Sequence, residues 1–509
     1  MIRDLRNGAR LLSLARTLAR HDALFVFEHF EAARPLLAAA QPFVRKRDGR
    51  PGEKLARALQ DAGPSFIKLG QALASRSDLL GEQIAADLSQ LQDRLPAFPF
   101  EQVQETIELE FGRVLEDLFA TFEREPIAAA SIAQVHFATD SDGREVAVKI
   151  LRPGIEEAFA RDLDLFFWLG ERAETHISAL RRLKIVESVA TLAEAVMHEM
   201  DLRFEAAAAA ELAENFAGDP TFHVPAVDWV RTGKRVLTVE RIYGIRIDER
   251  DAIIAAGHDP YQVVTRAAEM FFNQVFRDGF FHGDPHAGNM FVRADGSIAA
   301  VDFGIMGRVD RQTRRHLGQM LVAFLSRDYR RVAEVHFEAG WVPADRSLHI
   351  FAQACRSIGE PILDKPQNEI SVGRLLGQLF QITEAFAMET QPQLLLLQKT
   401  MLVAEGTSRK LAPDANMWLL ARPLIQEWTL ETFGPQAVVR DRVNELASTL
   451  ARLPELARRA ERGLSILAEG ALKIDPESLE GIARARRGPS SGWIVAAVLA
   501  LVLVSVVIG

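Results

Sequence analysis

The chain has 509 residues, 48% of them hydrophobic, with a net charge of −9 and a pI near 5.8. That length suggests roughly two to four domains and a large core, and the acidic balance argues against a nucleic-acid partner, which would select a basic excess. The single cysteine, Cys355, excludes an intramolecular disulfide, a zinc knuckle or a cysteine-held iron–sulfur site. It points to a reducing compartment and reads as an ordinary buried thiol in a helical run.

The chain opens with MIRDLRNGARLLSLARTLARH, amphipathic and arginine-rich, without the basic-then-apolar layout of a cleavable signal peptide. Asp4 weakens a mitochondrial transit-peptide reading, so a surface helix is expected, with contact to anionic lipid open to it. Residues 1 to about 115 carry apolar positions at helical spacing. SIAQVHFA (131–138) and EVAVKIL (145–151) alternate like strands about the turn pair Asp142-Gly143. A long Ala-rich helix is expected at about 188–216, a strand over KRVLTVERIYG (234–244), and a helix over 261–280. The stretch FHGDPHAGNMFVRADGSIAAVDFG (281–304) predicts a loop, a short strand, an Asp295-Gly296 turn and a second strand. From about 310 to 480 the pattern is helical again.

Gly-Pro-Ser-Ser at 488–491 reads as a linker. Beyond it GWIVAAVLALVLVSVVIG (492–509) has no charged side chain. At helical rise it spans roughly 27 Å, close to a bilayer's hydrocarbon core, so a membrane helix is expected. Arg484, Arg486 and Arg487 just before it would keep the body of the protein on the cytoplasmic side, with Trp493 at the interface.

Phosphoryl transfer from ATP needs a cation on the phosphates, a carboxylate fixing that cation, an amide and a carboxylate for magnesium, and a carboxylate orienting the attacking oxygen. Lys149, alternating with apolar residues in VAVK, points away from the core and toward a cleft. Asp284 and Asn289 in HGDPHAGN have the five-residue spacing of a kinase catalytic loop, and Asp302 follows in VDFG after one short hairpin. Each alone is a common strand-edge, turn or cap residue; their order and context make the constellation specific. No Rossmann-type flavin fingerprint or cluster of oxygen-activating metal ligands is evident, so hydroxylase chemistry is not expected.

VAVK, HGDPHAGN and VDFG resemble the protein-kinase-like superfamily. Further motifs resemble one branch, the UbiB/ADCK family of atypical kinases, over roughly residues 60–420. They are the KxGQ residues Lys68, Gly70 and Gln71 within GPSFIKLGQALASRSDLL, then LQDRLP (91–96), and the ExD residues Glu199 and Asp201. The loop AAAS (Ala128, Ala129, Ala130, Ser131) stands where glycines would cover the phosphates, and KTMLVAEGTSRKLAPD lies at 399–414. The resemblance makes Glu205 the partner of Lys149. It makes Lys68, Gln71, Glu199 and Asp201 a gate over the cleft, and Glu240 to Ile242 a hinge beside adenine. Helical spacing by itself puts neither Glu199 and Asp201 nor Glu199 and Glu205 side by side. Alanine tolerates close backbone approach less well than glycine, so nucleotide handling should differ from that of ordinary kinases, with Ala130 the position to test.

The implied fold is α+β, bilobal, kinase-like and largely helical. Its segments are an extension at 1–115, an N-lobe at 116–243, a C-lobe at 244–345, further helices at 346–480, a linker at 481–491 and the membrane helix at 492–509. The resemblance implies ATP and Mg²⁺ as cofactors and a role in ubiquinone biosynthesis at the bacterial inner membrane. Its implied partners are membrane lipids, prenylated quinone precursors and other proteins of that biosynthesis. HGD in place of HRD, and no APE segment after VDFG, leave little room for a peptide substrate. An ATPase or a small-molecule or lipid kinase is therefore expected, with a nucleotide-binding pseudokinase scaffold as the alternative.

Overall fold

The computed structural model describes residues 2–25, 38, 40–74, 82–88, 95–176, 185–363, 378, 381–383, 385–388, 392–415 and 417–433. The helices expected over 434–480, the linker and the membrane helix at 492–509 lie outside these residues. No helix among the described residues is long and apolar enough to cross a membrane. The chain divides into two compact units, Met1–Leu424 and Ile425–Gly509.

The N-terminal extension is built from α1 (Ile2–Arg20), α2 (Pro51–Ala62), α3 (Pro64–Ala74) and α4 (Glu82–Leu88), followed by α5 (Phe100–Phe111) and the single turn α6 (Leu115–Leu118). The amphipathic first helix buries Ala15, Leu18 and Ala19 in a core shared with Leu55, Phe66 and Ile67. Its polar side holds α7 (Ile155–His176): Arg3 and Arg6 pair with Asp164 at 2.8 and 2.6 Å, and Asp4 accepts from Trp168 at 3.0 Å. Arg3 and Arg6 of this segment therefore make protein contacts.

A five-stranded antiparallel sheet follows, in the order β1 (Phe119–Phe122), β3 (Ala133–Asp140), β4 (Glu145–Leu151), β6 (Val236–Glu240), with β2 (Ala128–Ala129) also on β3. In β4 the residues Val146, Val148 and Ile150 are buried, so alternation turns Lys149 to the other face. The strand expected over 234–244 stops at Glu240.

The single long helix expected at 188–216 is two helices, α8 (Ile185–Glu199) and α9 (Leu202–Asn215). Alanine propensity would carry one helix through. Asp201 breaks it by adopting extended dihedrals (φ −124°, ψ 93°) and capping α9 through the Arg203 N–H. α9 then joins two cores: Leu202 and Ala206 pack with Leu151 and Leu237, whereas Ala209 and Leu212 pack with Val292 and Ile298. Glu205 lies at that seam.

The second sheet is ordered β5 (Phe222–His223), β10 (Ile298–Ala300), β9 (Met290–Val292), β7 (Ile245–Arg246), with β5 parallel to β10. The chain thus visits the second sheet after α9 before returning to the first as β6. α10 (Arg250–Ala255) and α11 (Pro260–Phe272) follow, the latter running into a π-helical turn at Asn273–Asp278. β8 (Phe280–His282) and β11 (Met306–Arg308) pair below the catalytic loop. α12 (Arg311–Leu325), α13 (Tyr329–Glu338), α14 (Leu348–Gly359), α15 (Pro392–Leu411) and α16 (Met417–Phe433) complete the described chain. Cys355 is buried in the core of α12 to α14, and burial pushes its thiol up to about 12, making it an inert structural residue.

Candidate active site

The two lobes' motifs converge on one ammonium group. Lys149 Nζ donates to both Glu205 carboxylate oxygens at 2.9 Å and to Asp302 Oδ1 at 3.3 Å. Glu205 is 8% exposed, and burial raises its carboxyl above the usual range against the pull of Lys149. Burial would strip Lys149 of its proton, but Asp302 and Glu205 overcome it and hold the ammonium charged. The Asp302 side chain is half-exposed, and the partial desolvation of its carboxyl opposes ionisation. Lys149 and the Gly304 N–H (3.3 Å) outweigh it and hold the carboxyl at about 2, below its usual 3.8. Asp302 also adopts φ 63°, a left-handed conformation uncommon for a residue other than glycine.

The catalytic loop is a closed set of short-range bonds. The Asp284 carbonyl accepts from the His286 N–H at 2.8 Å and from Asn289 Nδ2 at 3.2 Å. The Asn289 carbonyl accepts the Val301 N–H at 2.9 Å, which sets Asn289 beside the residue preceding Asp302. His282 is buried, and burial lowers its pKa. Its Nδ1 accepts from the Asp284 N–H at 3.1 Å, so the proton sits on Nε2, 3.4 Å from the Val301 carbonyl. Gln274, in the π-helical turn, accepts the His282 N–H at 2.9 Å. His282 and Gln274 thus tie the Asp284 loop to the Asp302 strand. Sequence reasoning gave neither a role, although the histidine stands inside the HGD motif.

The Ala-rich loop is a tight turn. Ala128 and Ala129 pair with β3, the Ala130 N–H donates to the Ala133 carbonyl at 2.8 Å, and the Arg152 guanidinium clamps the Ala130 carbonyl at 2.9 and 3.0 Å. Arg152 also reaches the Pro96 carbonyl at 2.9 Å, fastening the loop to the chain ahead of α5. Ser131 is wholly buried, so its hydroxyl does not face the cleft in this conformation. At the expected hinge, the Glu240 side chain is engaged by His223 at 3.0 Å and by the Ala226 N–H at 3.2 Å. Ile242 follows β6 and is half-buried.

Within the expected gate, the described residues include a direct Lys68–Glu199 contact. Lys68 on α3 pairs with Glu199 at the end of α8 at 2.7 Å, with the two side chains 12% and 19% exposed. Asp201 instead caps α9 and pairs with Arg203 at 2.6 Å. Gly70 is buried and Gln71 half-buried on α3. The helix break explains how Glu199 and Glu205, six residues apart, take different lysines. In a double-mutant cycle of Lys68→Ala and Glu199→Ala, a coupling of about 1–2 kcal/mol is expected, between the values for exposed and fully buried pairs; urea denaturation would measure it, and a coupling below about 0.3 kcal/mol would contradict the pairing.

Magnesium takes one or two protein oxygens, substrate phosphates and waters. The Asn289 side chain has its nitrogen engaged and keeps Oδ1 as a metal-ligating oxygen, and Asp302 is held ionised, so this pair suits such a site. Among the described residues no cluster of three or more His, Cys, Asp and Glu offers an all-protein cage.

A lysine–glutamate pair bridging a strand and a helix, a loop carboxylate, and an Asn/Asp pair across a hairpin define a protein-kinase-like fold. The model of the ABC1 atypical kinase-like domain matches residues 90–336, and that of the UbiB helical domain matches 355–416. A relative from Marinobacter nauticus is 43% identical, covering 80% of this chain and 75% of its own length. One from Pseudomonas aeruginosa is 41% identical, covering 90% and 88%. Both bear the name "Probable protein kinase UbiB". The structure of Rv3197 from Mycobacterium tuberculosis in complex with erythromycin superposes with a TM-score of 0.50 at 26% identity, covering 72% of this chain and 93% of that one. The chain belongs to the UbiB family of atypical kinase-like proteins.

Proposed function

We propose that the protein binds MgATP and uses it, as an atypical kinase or ATPase, in ubiquinone biosynthesis, acting on prenylated lipid intermediates at a membrane. The observation that carries this reading is Lys149 held between Glu205 and Asp302. In the proposed roles Lys149 holds the phosphates, Glu205 positions it, and Asn289 and Asp302 hold Mg²⁺, which neutralises charge on the phosphates. Asp284 orients the attacking oxygen. The Ala128–Ser131 loop covers the nucleotide through its backbone, and the segment from Glu240 to Ile242 borders the adenine. Lys68, Gly70, Gln71, Glu199 and Asp201 form the gate region: the Lys68–Glu199 pair fastens α3 to α8, and Asp201 sets the start of the helix bearing Glu205.

The acceptor side favours small or lipid substrates. Only Gly304 and Ile305 separate Phe303 from β11, and β11 returns directly under the catalytic loop. The chain after VDFG therefore forms no extended peptide platform. The membrane location rests on the apolar run at 492–509.

The test is ATP turnover by the full-length protein, with and without liposomes and a phenolic quinone-precursor mimic. Membrane-stimulated release of free phosphate supports the ATPase reading. Transfer of labelled γ-phosphate into the lipid fraction would select a lipid phosphotransferase. Nucleotide binding without either would leave a pseudokinase scaffold.

A further inference from the structure

The active-site motifs all come from the two lobes, but the side chain nearest in charge to Asp284 comes from α15. Lys399 Nζ lies 3.2 Å from Asp284 Oδ1. The next residue fixes that placement: Thr400 is wholly buried, and its hydroxyl contacts the Gly283 carbonyl at 3.1 Å as well as its own helix at Leu396 O, 2.8 Å. A Cβ at position 283 would come within 2.9 Å of Ile305 Cγ2 and 3.1 Å of Leu396 Cδ1. Gly283 thus leaves room for Ile305 and for the Leu396 side chain of α15 against the catalytic loop.

Lys399 is not sealed into this pair. Its side chain is 52% exposed, whereas Asp284 is 28% exposed, so the ammonium has room for a second anion. Lys149 is already engaged by Glu205 and Asp302. Within the loop itself, the nearest basic group to the Asp284 carboxylate is His286, at 3.9 Å.

We infer that Lys399 is a further catalytic residue: its ammonium bridges Asp284 and the transferring phosphoryl group and offsets the charge spread over that group's oxygens. This rests on the MgATP reading above. In the step, the bond from the acceptor oxygen to the γ-phosphorus forms as the bond from that phosphorus to the β–γ bridging oxygen breaks. ADP departs with that electron pair, and the acceptor proton passes to Asp284 and on to solvent. With water as acceptor the balance is ATP and water giving ADP, phosphate and a proton. Lys399 transfers no proton. The region matching the UbiB helical domain then supplies a group that the kinase-like domain lacks.

The test uses full-length protein in phospholipid vesicles, with Lys399→Met, Lys399→Arg and Thr400→Val. Lys399→Met is expected to lower kcat by about 100-fold, the lower end of the cost of one lost charge-stabilising donor, with KM for MgATP changed by less than about threefold. Lys399→Arg should keep at least about a tenth of the wild-type kcat, because the charge is retained. A binding readout accompanies activity. Calorimetry should find MgADP affinity unchanged in Lys399→Met, while the extra affinity conferred by aluminium fluoride, a mimic of the transferring phosphoryl group, falls about tenfold or more. Thr400→Val, which loosens α15 from the loop, should lower Tm and kcat together.

An unchanged or raised kcat in Lys399→Met would overturn the inference, the latter marking Lys399 as a restraint on Asp284. A parallel loss of Tm and MgADP affinity without rescue by arginine would reduce it to a packing role. Wild-type protein that binds no MgATP would sink the broader reading as well; wild-type binding with equal fluoride response in both proteins would sink this inference alone.

Discussion

Replacing Lys149 with methionine is expected to lower ATP turnover by about three orders of magnitude, the scale of losing a preorganised charge at a phosphoryl-transfer site. Methionine keeps the unbranched chain and removes only the ammonium. Two carboxylates then lose their shared counter-ion: Glu205, 8% exposed, and Asp302. An unpaired buried carboxylate is costly, and Glu205, its pKa already raised by burial, would take up a proton. A stability loss of about 3 kcal/mol accompanies the change, within what a folded chain tolerates. The two effects separate in Lys149→Met/Glu205→Gln, where the second change replaces the stranded carboxyl with an amide that never ionises. Stability should recover by about 1–2 kcal/mol, and turnover should not recover at all. Asp302→Asn should lose turnover on a similar scale, because an amide neither attracts Lys149 nor holds magnesium as a carboxylate does. Phosphate release at saturating MgATP and urea denaturation give both quantities. A loss under tenfold in Lys149→Met would remove Lys149 from the chemistry.

The sequence made the parts of this site legible but not their meeting. Lys149, Asp284, Asn289 and Asp302 stand in local patterns that carry their own context: alternation in β4, five-residue spacing in the loop, a hairpin turn before VDFG. Lys149 and Asp302 are 153 positions apart, and no local rule brings them to 3.3 Å; α9, packed into both cores, does. Glu205 could be assigned only through family resemblance, because the helix carrying it does not continue from Glu199. The break at Asp201 was hidden by alanine-rich composition, which favours helix on both sides; the signal present was an Asp followed by a helical run. Lys399 was harder still. It lies 115 residues beyond Asp284 in the chain, in a helix whose surface lysines look like any solvated face. The contact between Thr400 and Gly283, distant in sequence, is what brings it to Asp284.

Gly307→Val sets two physical effects against each other, and packing is expected to win. Position 307 lies in β11, where a β-branched residue gains by propensity, at most about 1 kcal/mol. It pairs directly with Phe281 of β8, whose wholly buried ring lies over the glycine. A Cβ there would fall inside the Phe281 ring contact, closer than any real Cβ approaches. The strands must part or the buried ring must leave its rotamer, at about 3 kcal/mol or more. The net expectation is a loss of about 2–3 kcal/mol, read as a lower urea midpoint with an unchanged denaturant slope. Parting the strands also disturbs His282, which follows Phe281 and pairs with Met306, and through its Nδ1 the Asp284 N–H. Turnover should therefore fall more than the folded fraction does. Phe281→Leu in the same chain makes room for the new side chain and should return about half of the lost stability. A stable Gly307→Val with full turnover would mean that β8 and β11 do not pair in the register described. The close return of the chain beneath the loop, and the exclusion of a peptide platform that follows from it, would then lose their support.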